Sequence, residues 1–184
     1  MCQAPTCLPK YDPKTTHASL PFHCHIWGGA ERSEAEGAVI KSRVMDWHKT
    51  TLEITTRGKG LHDVTERVGA QLREWGVQEG MCFLFLPHTS ASLILSENWD
   101  PTARADLETF MERLVPEGEN WYTHDLEGPD DATSHIRAML TDTSLTIPVD
   151  EGALSLGSWQ GIYIFEHRAR PHRRKLFIRA LSVT

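Results

Sequence analysis

The sequence predicts an α+β fold: one compact domain with a largely antiparallel β-sheet and about three helices. Three observations carry that reading. Strand-like and helix-like apolar patterns both occur, without the βαβ alternation of a parallel sheet. The length of 184 residues suits one ordinary domain, and 40% apolar residues suffice for a core. Regular patterning also begins only near Met45. Residues 1–44 hold Pro5, Pro9, Pro13, Pro21, Gly28, Gly29 and Gly37 with no sustained apolar period. They are expected to form a poorly ordered extension, removable without unfolding a domain spanning 45–184.

The elements follow in order. "WHKTTLEITT" (47–56) is rich in threonine and β-branched residues and reads as a strand, punctuated by Gly58 and Gly60. Leu61, Val64, Val68, Leu72 and Trp75 recur at helical spacing, with Gly76 as the stop. "MCFLFLPH" (81–88) is a buried strand ended by Pro87, and "SASLILSE" (90–97) returns as a second. Asp100-Pro101 gives a helix its cap and first residue, and Leu107, Phe110, Met111 and Leu114 carry it to Pro116. A short helix starts near Asp131, with Ala132, Ile136, Met139 and Leu140 on its apolar side. "SLTIPVD", "ALSLGSWQGIYIFEHR" and "RKLFIRALSV" complete the chain as strands.

Composition excludes some functions. A net charge of −6 disfavours nonspecific binding to nucleic acid or anionic membrane. No run of eighteen apolar residues offers a membrane span, and no signal-like segment is seen. Cys2, Cys7, Cys24 and Cys82 make no disulfide framework, so a reduced, cytoplasmic protein is expected. The tract His23-Cys24-His25 lacks a second Cys/His pair at finger spacing and is assigned no metal role.

The chemistry concentrates in "YTHDLEGPDDATSHI" (122–136), where two histidines and several carboxylates surround a Gly128-Pro129 turn. Asp130 or Asp131 can cap the following helix, which accounts for one aspartate but not two. Asp131 and His135 share a helical face, and His135 should lean toward the interior. Two readings fit: a satisfied structural pair, or an aspartate orienting one ring nitrogen so that the other serves a metal or substrate. "PHTSASL" puts His88 at a strand end beside Ser90, where the hydroxyls either satisfy local backbone or face a ligand. Glu166 ends an apolar run, and a carboxylate there needs pairing or ligation. Trp159 and Gln160 lie between Gly157 and Gly161, which permits close approach. Arg168, Arg170, Arg173 and Arg174 are either solvated strand ends or an anion site.

The motifs "HTSASL", "ENWDP", "YTHDLEG.DD...H", "IPVDEGALSLGSWQGIYIFEHR" and "RR" resemble the YjbQ-like family, from about Asp46 to the C-terminus. The extension lies outside that resemblance, and Ser96 departs from the asparagine that often precedes the glutamate. Matched positions are His88, Ser90, Glu97, Asp100, His124, Asp130, Asp131, His135, Trp159, Gln160, Glu166 and Arg174. The resemblance implies a YjbQ-like α+β fold, a homotrimer, and an activity like that of secondary thiamine-phosphate synthases. These join a pyrimidine pyrophosphate to a thiazole phosphate with loss of pyrophosphate.

Such a reaction needs phosphate binding and charge neutralisation, hence a small phosphorylated metabolite as partner and a divalent metal, Mg²⁺ or Zn²⁺. Asp130, Asp131 and Glu97 could hold Mg²⁺ through oxygens, whereas converging histidines suit Zn²⁺. The expected metal ligands are His88, His124, His135, Asp130 and Asp131, with the three histidines converging in space. The expected catalytic residues are His88, Ser90, His135 and Glu166. The expected substrate-binding residues are Trp159, Gln160, Arg168, Arg173 and Arg174. A histidine cluster equally suits metal-dependent hydrolase or lyase chemistry, and the same pocket could serve a non-catalytic phosphometabolite-binding module.

Overall fold

The computed structural model describes residues 44–183. The expectations for the extension, His23-Cys24-His25 and the first three cysteines lie outside those residues. The elements are β1 (Met45–Thr55), β2 (Gly60–Asp63), α1 (Thr65–Trp75), β3 (Gly80–Phe85), β4 (Ala91–Glu97), α2 (Pro101–Leu114), α3 (Asp131–Met139), β5 (Ser144–Asp150), β6 (Ala153–Leu154), β7 (Gln160–Glu166) and β8 (Arg173–Val183). Every strand pairing is antiparallel. One sheet runs β1-β8-β3-β5-β6 and the other β2-β7-β4. The predicted α+β class with three helices is the fold observed.

Alternation along the strands builds the layers. Ile54, Cys82, Leu84, Ile147, Leu176 and Ile178 from the large sheet meet Leu93, Ile162 and Ile164 from the small one, with Val68 and Leu72 of α1 in the same core. The other face of β7 sends Tyr163 and Phe165 into a second cluster with Leu61, Met111 and Val115. β7 therefore lies between two apolar layers, which is why its run reads as continuously hydrophobic.

Several local expectations are corrected. Leu61 belongs to β2, because Gly60–Asp63 pairs with Tyr163–Glu166; α1 starts at Thr65. The run 153–168 is two strands, interrupted where Gln160 Oε1 accepts the Gly157 N–H. The expected apolar side of α2 is largely outside: Met111 is buried, but Phe110 is 61% exposed. Asp100 caps α2 as expected, accepting the Thr102 N–H at 2.8 Å. α3 is turned over. It buries Asp131, Thr133, Ser134, Arg137 and Ala138, while Met139 is 75% exposed. Its inward polar groups have partners: the Arg137 guanidinium donates to Val115 O at 2.9 Å, and Ser134 Oγ donates to Asp131 O.

Candidate functional site

The inverted α3 delivers Asp131 to the end of the small sheet where β4 starts and β7 stops, Ala91 opposite Glu166. The aspartates do not cap α3 through their side chains. Asp130 accepts the Ala169 N–H at 2.7 Å, and Asp131 receives Arg168 Nη1 at 2.8 Å and the Glu127 N–H at 3.3 Å. The tight turn at Gly128, with φ of 118°, brings His124 back over the helix. His124 Nε2 then lies 3.4 Å from one Asp131 oxygen, and His135 Nε2 lies 3.4 Å from the other.

One donor atom from each of His124, Asp131 and His135 lies within 4.8 Å of the other two. Asp131 is buried and the imidazoles border solvent. His135 does not lean into the core; its Nδ1 faces Thr89 O at 2.8 Å. A carbonyl can only accept, so Nδ1 donates to it, and in the neutral ring that leaves Nε2 as the nitrogen able to bind an ion. A cavity of about 270 Å³ opens beside the group, walled by Trp121, Tyr122, His124, His135 and Ile136.

A second cluster adjoins the first. Fully buried Glu166 is held by Arg174 through both carboxylate oxygens, by Thr56 Oγ1 at 2.8 Å and by the Arg168 N–H at 3.0 Å. Burial pushes its carboxyl up, but the Arg174, Arg168 and Thr56 hydrogen bonds outweigh that and hold it below the usual range. Asp130 is likewise raised by burial but lowered overall by the Ala169 N–H and the Arg168 charge. Ser90 Oγ accepts from Arg174 at 3.1 Å. His88 stands here, apart from the other two histidines. Its Nε2 accepts the Lys175 N–H at 2.8 Å, and burial followed by the Arg174 charge pushes its pKa down.

The arginines divide. Arg174 is committed to Glu166, and Arg168 to Asp131, Glu127 and Asp130, so two of the three expected phosphate-binding arginines are already paired with carboxylates. Arg173 is exposed on the outward side of β8. Arg170 and His172 line a polar cavity of about 480 Å³ beside Arg168 and Glu127. Trp159 and Gln160 stand at the other end of the ladder, where Glu97 faces Gln160. Six residue steps along β4, from Ala91 to Glu97, put it roughly 20 Å from the Ala91–Glu166 rung. Sequence reasoning missed Thr56, Glu127, Arg137 and the buried Ser92–His167 pair at 2.9 Å. The only local signal for His167 was its place beside Glu166 in "FEHR".

Known proteins share this arrangement of chain. A model of the UPF0047 protein YjbQ-like family matches residues 50–182. The chain belongs to the YjbQ-like UPF0047 family. It is 47% identical over 131 residues to a UPF0047 protein of Synechocystis sp., covering 71% of this chain and 89% of that one. It is 44% identical to the UPF0047 protein YjbQ of Escherichia coli O157:H7, covering 71% and 94%. Among solved structures, a conserved hypothetical protein of Thermus thermophilus aligns with a TM-score of 0.64 at 31% identity, covering 70% of this chain and 97% of that one. A YbjQ-like protein of unknown function from Sulfolobus solfataricus shares the fold, with a TM-score of 0.68 at 22% identity over 76% and 99%. The stretches "YTHDLEG", "HTSASL" and "FEHR" all meet at one end of the small sheet. Among the described residues, no helix of this family member is long and apolar enough to cross a membrane.

Proposed function

We propose that this chain is a metal-dependent enzyme acting on a small phosphorylated metabolite, with His124, Asp131 and His135 holding one divalent ion. The observation that carries the reading is the approach of three donor atoms to within 4.8 Å. An ion bound tetrahedrally at roughly 2.0–2.1 Å places its ligands about 3.3 Å apart; the 3.4 Å approaches of His124 and His135 are to different Asp131 oxygens, so a single ion would draw the three donor atoms in from their spread of up to 4.8 Å. Two imidazoles and one carboxylate suit Zn²⁺ or a similar transition metal better than Mg²⁺, which favours an all-oxygen shell. When bound, the ion supplies Lewis acidity toward a phosphoryl or carbonyl oxygen.

The chain's own groups supply the rest. Thr89 O fixes the His135 tautomer, and Arg168 fixes the Asp131 carboxylate. Arg170 and His172 offer donors for a phosphate in the adjoining cavity, and Trp121 and Tyr122 wall the opening beside His124. This set favours metal-assisted hydrolysis or lyase chemistry. The thiamine-phosphate synthase reading needs a ring-binding group beside the ion, and within one chain Trp159 and Gln160 lie at the far end of β4 and β7.

Metal analysis after loading with Zn²⁺ tests the centre. The intact chain is expected to hold about one ion, and His135→Ala to lose it while its circular dichroism is unchanged. A wild type that takes up no metal, or a His135→Ala chain that retains it, removes the metal reading. Bound metal without turnover on a panel of phosphate esters and anhydrides leaves a binding module in place of an enzyme.

A homotrimer is part of the proposal. The outward face of the five-stranded sheet carries the row Trp47, Leu181, Met81 and Pro148 across paired strands. Ring centroids of Trp47 and Phe83, and of Phe85 and Phe177, stand 6.1 Å apart on the same face. Such a face supports burial against further copies; the number three rests on the family resemblance.

A further inference from the structure

We infer that the free edge of β1 is a self-association surface, where a second copy of this chain pairs its own β1 antiparallel about a two-fold axis through Thr51. β1 stands at the end of the five-stranded sheet, so among the described residues no strand covers its outer side. The register fixes which backbone groups stand free. One step beyond the strand, the Thr56 N–H reaches His172 O at 2.9 Å, so even-numbered positions turn their backbone groups toward β8. Val183, opposite Met45, gives its N–H to Glu79 O, on the side away from β1. The N–H and C=O groups of Trp47, Lys49, Thr51, Glu53 and Thr55 therefore point outward. Arg67 Nη2 occupies one of them, donating to Glu53 O at 2.9 Å from an exposed position, and yields it on pairing. An unpaired edge of eleven residues is a template for another strand.

Charge selects the partner and the register. Lys49 and Glu53 are exposed on the same face of β1 and flank Thr51 symmetrically. Setting Thr51 opposite Thr51 of the second copy puts each Lys49 opposite a Glu53, and each Trp47 opposite a Thr55. Opposite charges directly across a ladder stabilise it, and like charges oppose it. Centring the pair on Lys49 or on Glu53 sets like charges against each other, which disfavours those registers. Within its own sheet Lys49 faces Arg179, a like charge, so the free side is where it gains an opposite one. An edge lysine by itself repels other strands; the glutamate one turn of the pleat beyond Thr51 makes this edge complementary to itself. The contact is two-fold and uses the strand edge, whereas the trimer proposal uses the outward sheet face. Trp47 stands in both.

Sedimentation of the full chain tests the surface. Lys49→Glu sets carboxylates opposite each other at both symmetric positions, and Glu53→Lys sets ammonium groups there. Each variant is expected to raise the dissociation constant by at least about tenfold and to sediment with half the wild-type mass. An equimolar mixture of the two variants puts opposite charges back at both positions, and so does the double variant. Both are expected to regain the wild-type mass, which a folding defect would not allow. The halving is read equally from a unit of one copy or of three, so the result does not depend on the trimer proposal. A wild type of one or three copies, single variants that keep the wild-type mass, or a mixture that stays at half of it would overturn the inference.

Discussion

Burial keeps the His167 imidazole neutral. Its Nε2 meets Ser92 Oγ, which receives the Thr141 hydroxyl at 2.6 Å, and its Nδ1 is buried without a partner. Desolvation, with the Arg137 charge second, lowers its pKa to about 3. The unfolded chain therefore takes up a proton near pH 6.5 that the folded chain refuses, and stability falls as pH drops through that value toward 3. Between pH 7 and pH 5 the loss should be about 2 kcal/mol. Urea midpoints should show it in the wild type and much less in His167→Gln; an equal slope in both would assign the effect elsewhere. Glu166 contributes in the same direction at lower pH, since its depressed pKa gives stability above the usual carboxylate value that is lost as pH falls through the folded one. Arg174→Met leaves Glu166 buried and unpaired, so a loss of about 3–5 kcal/mol at pH 7 is expected in the same assay. At this scale the sequence was partly legible. The four-residue spacing of Asp131 and His135 defines a shared helical face, but the path of His124 depends on a backbone turn that spacing does not measure. Arg168 looked available for anions because its partner, Asp131, lies 37 residues away.

The elements explain which parts of the pattern could be trusted. Strands were visible because alternation and β-branched content act locally. The faces of α2 and α3 were not, because a helix buries whichever side has partners, and α3 finds its partners in Arg168 and the Val115 carbonyl. The boundary between β2 and α1 was also hidden, since Leu61 fits the helical period and the strand pairing equally well. The antiparallel edge between β3 and β8 has one strict requirement. Gly80 has a φ of 154°, and a Cβ there would sit 2.0 Å from Leu181 O. Gly80→Ala should therefore cost about 2–3 kcal/mol in thermal or chemical unfolding. Asp100→Ala removes the α2 cap and should cost about 1 kcal/mol. A neutral Gly80→Ala would mean that the two strands separate at this rung without penalty.

For the whole molecule, the outward sheet face makes a test of assembly. Trp47 is 58% exposed there. The double substitution Trp47→Lys and Phe85→Lys should yield monomers by light scattering with unchanged circular dichroism; a wild type already monomeric at micromolar concentration would end the trimer proposal. The overall class and the antiparallel arrangement were legible from the strand and helix periods, whereas the division into two sheets was not, because it depends on which strands meet across long separations. The pairing of β1 with β8 carries a consequence for synthesis. Met45 lies opposite Val183, and the hydrogen-bonded His48 and Ser182 are 134 residues apart. A nascent chain must hold β1 without this neighbour until β8 has left the ribosome. β8 also separates β1 from β3 in the finished sheet, so no earlier strand can take its place. Closure of the domain thus waits on a pairing across the length of the fold, with slow, non-local kinetics. Until β8 is in place the apolar residues of β1 and β3 would remain accessible to chaperones.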